Sequence, residues 1–357
     1  MAEPTLHHRT PEFEAIFKET RELLFELMAT DEVVMLASTG TGAMEAAVTN
    51  LCHHTLLNVN AGKFGERFGK IAQAHGLNNV EIKHEWDTPA TADEVIEVLK
   101  ANPDVDAIAI QISESAGGLR HPVEGIAKAV KDFNPEIMVI ADGITAVGVE
   151  RIDVTDIDAL IAGSQKALML PPGLAILGLS NTAVEKIGAG RGYYLNLASE
   201  IKKQRQNTTA YTAATTLVIG LRAILKEIGA NGGIGKLFCD TARRAKATRF
   251  ALEALGLHVY PKSPARSMTT IDDENAKEIR DLLKTDFGVN VAGGQDHLKG
   301  KIFRINQMGL IEPYEMVWVV NAVELALAKL GRREYDGTAS RVFNEEYFKK
   351  MLKKEDA

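Results

Sequence analysis

Short apolar runs bounded by polar or glycine-containing segments recur along the first half of the chain. They are VVMLA (33–37), TLLNV (55–59), VEIKH (80–84), AIAIQI (107–112), IMVIAD (137–142), ALIAGS (159–164) and LAILGLS (174–180). Near-continuous hydrophobicity over about four to eight residues suits strands covered on both faces. Between the first five runs lie stretches of helical period, GAMEAAVTNL, FGERFGKIAQAHG, ADEVIEVLKANP and VEGIAKAVKDF. Strands separated by helices at this spacing predict parallel βαβ units with helices on both sides of a sheet. Ahead of them, TPEFEAIFKETRELLFELM predicts an amphipathic helix.

The texture changes from about residue 213. AATTLVIGLRAILKEIG and IGKLFCDTARRAKATRFALEALG predict two long helices. Short strands, MTTI, VNVAGG and IFRIN, follow among the helices ENAKEIRDLLKTDF and PYEMVWVVNAVELALAKLG. That pattern predicts a smaller α+β unit. The closing NEEYFKKMLKKEDA has hydrophobics at helical spacing and predicts an amphipathic helix with a solvated face. The chain shows no internal repeat and no low-complexity segment.

Composition narrows the class. With 357 residues, 45% of them hydrophobic, the chain is long enough for cores in two domains. No apolar run approaches the roughly 20 residues a bilayer span requires, and AEPTLHHRTPEFE lacks the pattern of a secretion signal. The two cysteines form no disulfide framework, so a reducing cytoplasm is the expected compartment. A net charge of −7, with both signs interspersed, argues against nucleic acid as a partner.

In an open α/β sheet, ligands sit beyond the C-terminal ends of the strands, and three polar clusters fall there. ASTGTGAME (37–45) leads from a strand through Gly-Thr-Gly into a helix. It reads either as a phosphate cradle or as a tight capped turn. Glu45 occupies the third-glycine position of a dinucleotide fingerprint, which excludes that motif. Asp142, at the end of IMVIAD, can face a cationic ring nitrogen or a metal, or cap a turn. Lys166 lies in AGSQKALMLPPGLAIL, a cation between apolar strand-like runs where a surface lysine is the ordinary expectation. Together these are the parts that a site for pyridoxal 5'-phosphate requires: an amine for the aldehyde, a carboxylate for the ring nitrogen and a cradle for the phosphate.

TGTGAMEAA, NAGKFGERF, ADGITAVG, AGSQKALMLPPGLA, NTTAYTAA and AGGQDHLKGKIFRINQMG occur, in that order, in a pattern that resembles the class V aminotransferases. Within them the chain is most similar to the alanine–glyoxylate, serine–glyoxylate and serine–pyruvate group. The resemblance implies PLP fold type I. A large PLP-binding α/β domain with a mostly parallel seven-stranded sheet would span residues 1–231, and a small C-terminal α+β domain residues 232–357. It also implies a homodimer with active sites at the interface, and a ping-pong exchange of an amino group between a small amino acid and a small 2-oxo acid.

By position, the resemblance implies that Lys166 forms the Schiff base and Asp142 pairs with the pyridine nitrogen. Ile144 and Phe64 would cover the two ring faces. Thr41, Gly42, Ala43 and Gln165 would hold the phosphate, with Thr212 reaching in from the partner chain, and Arg304 would grip the substrate α-carboxylate. The chain departs from the pattern in three places. ESAGG (114–118) has Ala116 and Gly117 where relatives carry hydroxyls, leaving Ser115 to supply the contact. Thr209 stands where some relatives place a phosphate-binding tyrosine. Relatives also carry a Gly-Pro-rich segment ahead of the position of Met1, so the chain reads as starting at an internal methionine of the pattern.

Other features read as structural. Cys52, His53 and His54 have no companion ligand cluster. His7 and His8 are expected in capping or interface packing, ERIDVTDIDALI in a solvated loop, and Cys239 as a buried thiol. A cysteine desulfurase or related lyase would need a nucleophilic cysteine on a mobile loop, and a Rossmann oxidoreductase an intact glycine fingerprint. Phosphoserine or aminophosphonate transamination, and a PLP-binding protein impaired by its short start, stand as the other readings.

Overall fold

The computed structural model describes residues 5–352. The extreme start of the chain and the last part of the expected closing helix lie outside that range. Nine strands occur in the first half: β1 Glu32–Leu36, β2 Thr55–Asn60, β3 Asn78–Lys83, β4 Val105–Gln111, β5 Ser113–Glu114, β6 Leu119–Arg120, β7 Met138–Asp142, β8 Ala159–Gly163 and β9 Ala175–Leu179. Seven of them form one sheet in the order β1-β9-β8-β7-β4-β2-β3. Every one of these seven overlaps an apolar run in the sequence. Only β9 runs against its neighbours; the other pairs are parallel.

Side chains alternate across a strand, so a sheet covered on both faces feeds two cores. Val33 and Met35 enter one cluster with the helices Pro11–Met28, Ala92–Ala101 and Val123–Phe133. Val34 and Leu36 enter the other with the helices Gly40–Leu51 and Lys63–Ala74. The same alternation carries Val139 and Ala141 to the first and Ile140 to the second. This double burial is why the runs lack polar alternation.

The helix Thr215–Ala230 packs on Pro11–Met28 and gives Val218, Leu221 and Leu225 to the first core. The change of texture near residue 213 therefore does not mark the start of a new core. A third cluster draws its members from residues 247–343. It lies beneath a second sheet, β10 His258–Val259, β11 Met268–Asp272, β12 Ala292–Gly293 and β13 Ile302–Asn306, antiparallel in the order β10-β11-β13-β12. The helices Gly233–Ala254, Ala276–Phe287, Pro313–Lys329 and Thr338–Tyr347 complete this unit.

Three details differ from the sequence reading. The short helices Asn181–Ile187 and Leu197–Gln204 were not anticipated, although Ser180 and Asn196 cap them with side-chain oxygens. Cys239 is exposed, because it lies about 200° around its helix from buried Leu237. Glu150 and Asp158 are buried within the segment expected to be solvated. Their charges are met by Arg120 at 3.1 Å and Lys131 at 2.6 Å, respectively. No helix among the described residues is long and apolar enough to cross a membrane.

Leu24 is wholly buried between the helix Pro11–Met28 and the sheet. Leu24→Ala is expected to cost about 2–5 kcal/mol, read as a lower midpoint in chemical denaturation.

Candidate active site

Five chain segments leave the C-terminal edge of the large sheet close together. The first follows β1. Thr39 starts the helix Gly40–Leu51 without a side-chain cap hydrogen bond, so its first turn presents backbone N–H groups and the positive end of the helix dipole. Glycine is required by packing here: a Cβ on Gly40 would stand 2.3 Å from Ile144 Cδ1, and one on Gly42 2.0 Å from Ser38 Oγ. Ala43 is fully buried behind them.

The second segment follows β2 and begins the helix Lys63–Ala74. Arg67, one turn in, donates from Nη1 to Thr41 Oγ1 at 2.8 Å, and its guanidinium carbon lies 4.7 Å from the Phe64 ring centre. It thereby ties Phe64 to the glycine turn. The third segment follows β4 through Glu114 and Ser115, both buried.

Asp142 ends β7, next to Gln111 of β4 in register. It is almost fully buried, and its Oδ1 accepts the Ile144 N–H at 2.9 Å. Burial pushes its carboxyl from the ordinary 3.8 up to about 6, against the pull of that hydrogen bond and of the Arg67 and Lys166 charges. The site thus holds a carboxyl that lacks a strong cation of its own.

Lys166 follows β8 in a closed loop. Ser164 Oγ donates to the Pro171 carbonyl at 2.7 Å, and the Lys166 carbonyl accepts the Met169 N–H at 2.9 Å. The Pro-Pro-Gly turn returns the chain to β9, so the lysine projects from a pinned loop and not from a flexible tip. Burial, then the nearby Arg304 charge, lowers the Lys166 pKa, with Asp142 opposing. A lowered pKa favours the free amine, the form a nucleophile or a proton acceptor needs.

Arg304 comes from β13. Its Nε and Nη2 donate to the Gly293 carbonyl at 3.1 and 2.6 Å, and Nη1 donates to the Ser115 carbonyl. A cavity of about 380 Å³ brings Phe64, Ser115, Gln165, Lys166 and Arg304 together, with Met268, Ala292, Gln295, Asn306 and Met308 also in its wall; Thr41, Gly42, Ala43, Asp142 and Ile144 are not part of that wall. Gln165 Oε1 is buried and has no hydrogen-bond partner.

Thr209 and Thr212 are not brought to this cavity within the chain. They line a separate pocket with Tyr194 and Tyr211. Cys52 donates to Asp106 at 3.4 Å, and among the described residues no group of His, Cys, Asp and Glu is arranged to hold a metal. Sequence reasoning passed over Arg67, Glu114 and Gln295. Arg67 sits one helical turn after Phe64, and Glu114 is a lone acid at the end of an apolar run; those were the available signals.

The comparisons with known proteins agree with this geometry. Residues 2–306 match the family Aminotransferase class-V. The chain belongs to the class-V aminotransferases. It is 52% identical to an uncharacterized aminotransferase of Helicobacter pylori over 97% of this chain and 94% of that one. It is 29% identical to the serine–glyoxylate aminotransferase of Hyphomicrobium methylovorum, covering 90% and 84%. Among solved structures, an aspartate aminotransferase of subgroup IV from Thermus thermophilus superposes with a TM-score of 0.85 at 32% identity, covering 92% and 94%. The fold is accordingly PLP fold type I, and pyridoxal 5'-phosphate is the cofactor of the family.

The residues present fit that group. A buried carboxyl short of a cation lies within reach of the Lys166 and Arg67 charges, and Arg67 and Ile144 both touch an uncapped helix start with no room for a Cβ. One consequence concerns pH. Because the folded pKa of Asp142 is raised, the unfolded chain ionises first as pH rises, and the carboxyl's burial becomes a penalty between about pH 4 and 6. Above that range the penalty is complete, roughly 3 kcal/mol at most. Asp142→Asn should therefore leave the cofactor-free protein at least as stable as the parent at pH 8 while weakening retention of pyridoxal 5'-phosphate. Thermal melts with and without cofactor check both halves.

Proposed function

We propose that the chain moves an amino group from alanine or serine to glyoxylate or pyruvate by a ping-pong mechanism, with Lys166 as the catalytic residue. The observation that carries this reading is the charge of the cavity wall: Lys166 and Arg304 are its cations, and the remaining wall is amide, thioether, aromatic or small. One cation suffices for an α-carboxylate. A second, side-chain carboxylate would find no further cation among the residues of the wall itself. The serine–glyoxylate relative supports the same substrate class.

In this reading Asp142 holds the ring nitrogen of pyridoxal 5'-phosphate, Phe64 and Ile144 cover the ring faces, and Ser115 lies at its rim. Thr41, Gly42, Ala43 and Gln165 hold the phosphate. The bound cofactor supplies an aldehyde for amine capture and an electron-withdrawing ring. Arg304 binds the substrate carboxylate and so orients the Cα–H bond. Lys166 Nζ, its pKa lowered by burial, accepts the Cα proton in one half-reaction and returns a proton to Cα in the other.

The working unit is proposed to be a homodimer in the cytoplasm. Thr212, exposed beside Thr209, lies with Tyr194 and Tyr211 in the second pocket, and Tyr193 next to them is 80% exposed. That surface suits a second copy, whose site Thr212 would reach. Residues 1–231 would form the large domain and 232–357 the small one.

The test is a steady-state assay of L-serine, L-alanine and L-aspartate against glyoxylate and pyruvate. Serine or alanine is expected to exceed aspartate by at least about tenfold in kcat/KM, the order of one unmet charge. Preference for aspartate would refute the substrate class. Lys166→Ala should remove turnover altogether, and retained transamination in that variant would refute the role of the lysine.

A further inference from the structure

We propose that Glu114 is a positioning residue for this transfer, aiming the substrate-binding edge of Arg304 and seating Phe64 through one buried carboxyl group. The inference rests on the reading of the site given above.

Glu114 is wholly buried at the end of β5. Its Oε2 accepts the backbone N–H groups of Phe64 and Gly65, each at 3.0 Å, and its Oε1 accepts the N–H of Ala116 at 2.9 Å. No Lys or Arg among the described residues forms an ion pair with it within 4.0 Å. Its two oxygens are met by three backbone donors and by the start of the helix Lys63–Ala74; burial outweighs them and, with Asp142 adding to it, pushes the carboxyl from 4.5 up to about 7. The fit is close: a Cβ on Gly62 would stand 2.4 Å from Glu114 Cδ.

The carboxyl group thus joins two elements that are about 50 residues apart in sequence, the Phe64 helix start and the turn carrying Ser115. Ser115 lies between Glu114 and Ala116, and the Oε1 bond to Ala116 closes a small ring around it. That ring sets where the Ser115 carbonyl points. Arg304 has five N–H groups; three are engaged, two with Gly293 and one with Ser115. One N–H remains on each terminal nitrogen, the pair that grips a carboxylate in two-point fashion. The Ser115 carbonyl therefore fixes the direction of the free pair, and Glu114 fixes the Ser115 carbonyl.

Glutamine at 114 has nearly the same shape but only one acceptor oxygen. Its NH₂ would face a backbone N–H in either orientation, so at least one of the three bonds is lost and replaced by repulsion. The experiment uses the holoenzyme. In Glu114→Gln the Kd for propionate, a carboxylate without an amine, measured by calorimetry, and the KM for L-serine should both rise about tenfold, with a smaller fall in kcat. In an Arg304→Lys background the same substitution should add little to the propionate Kd, because the two act as one unit.

A folded Glu114→Gln protein whose propionate Kd and KM stay within about twofold of the parent would overturn the proposal. So would a full penalty that persists beside Arg304→Lys. If Glu114→Gln does not fold, Gly62→Ala takes its place. It keeps both carboxyl oxygens but presses on the carboxyl, and should raise the propionate Kd in the same direction by less. An unchanged Kd there would overturn the proposal equally. A parent enzyme that binds propionate yet does not turn over serine would count against the transfer reading alone.

Discussion

The constraint on which the site depends is the exclusion of water from Asp142. Parallel strands covered on both faces leave their C-terminal ends deep in the molecule, and β7 ends on a carboxyl. A buried carboxyl without a matching cation is costly and keeps its proton to about pH 6. The same energy that disfavours the free carboxylate favours any cation brought to it. A protonated ring nitrogen is such a cation, and the family's cofactor carries one when bound.

The cavity wall is shared between two structural units. The large unit contributes Phe64, Ser115, Gln165 and Lys166, with Asp142 and the glycine turn at Gly40–Gly42 behind that wall. The antiparallel sheet contributes Arg304, which crosses to the Ser115 carbonyl of the first unit. Lys63 adds a second tie to Asp296 at 2.7 Å, beside Gln295 in the cavity wall. Backbone carbonyls from both units thus orient one guanidinium.

The seven sheet strands were legible because burial on both faces leaves an uninterrupted apolar run. The texture change near 213 misled, since the helix Thr215–Ala230 changes composition but still packs on the first core. Motifs singled out Lys166, Asp142 and Arg304, which fall in the loop after β8, at the end of β7 and in the middle of β13; their roles belong to the proposal above. Arg67 and Glu114 were not singled out, because what they touch lies far along the chain or is backbone, and backbone acceptors and donors leave no trace in a sequence. Cys239 and Asp158 were misjudged for a related reason. Residue type alone gave the wrong side of the surface, and helix phase in one case and a distant lysine in the other decided it. Thr209 and Thr212 matched a motif, but within one chain they line a different pocket.

The most direct measurement is borohydride reduction of the purified protein saturated with pyridoxal 5'-phosphate, followed by peptide mass mapping. Lys166 is expected to carry the phosphopyridoxyl mass, and prior exchange with L-serine should remove the label. Label at another lysine, or none, would contradict the account.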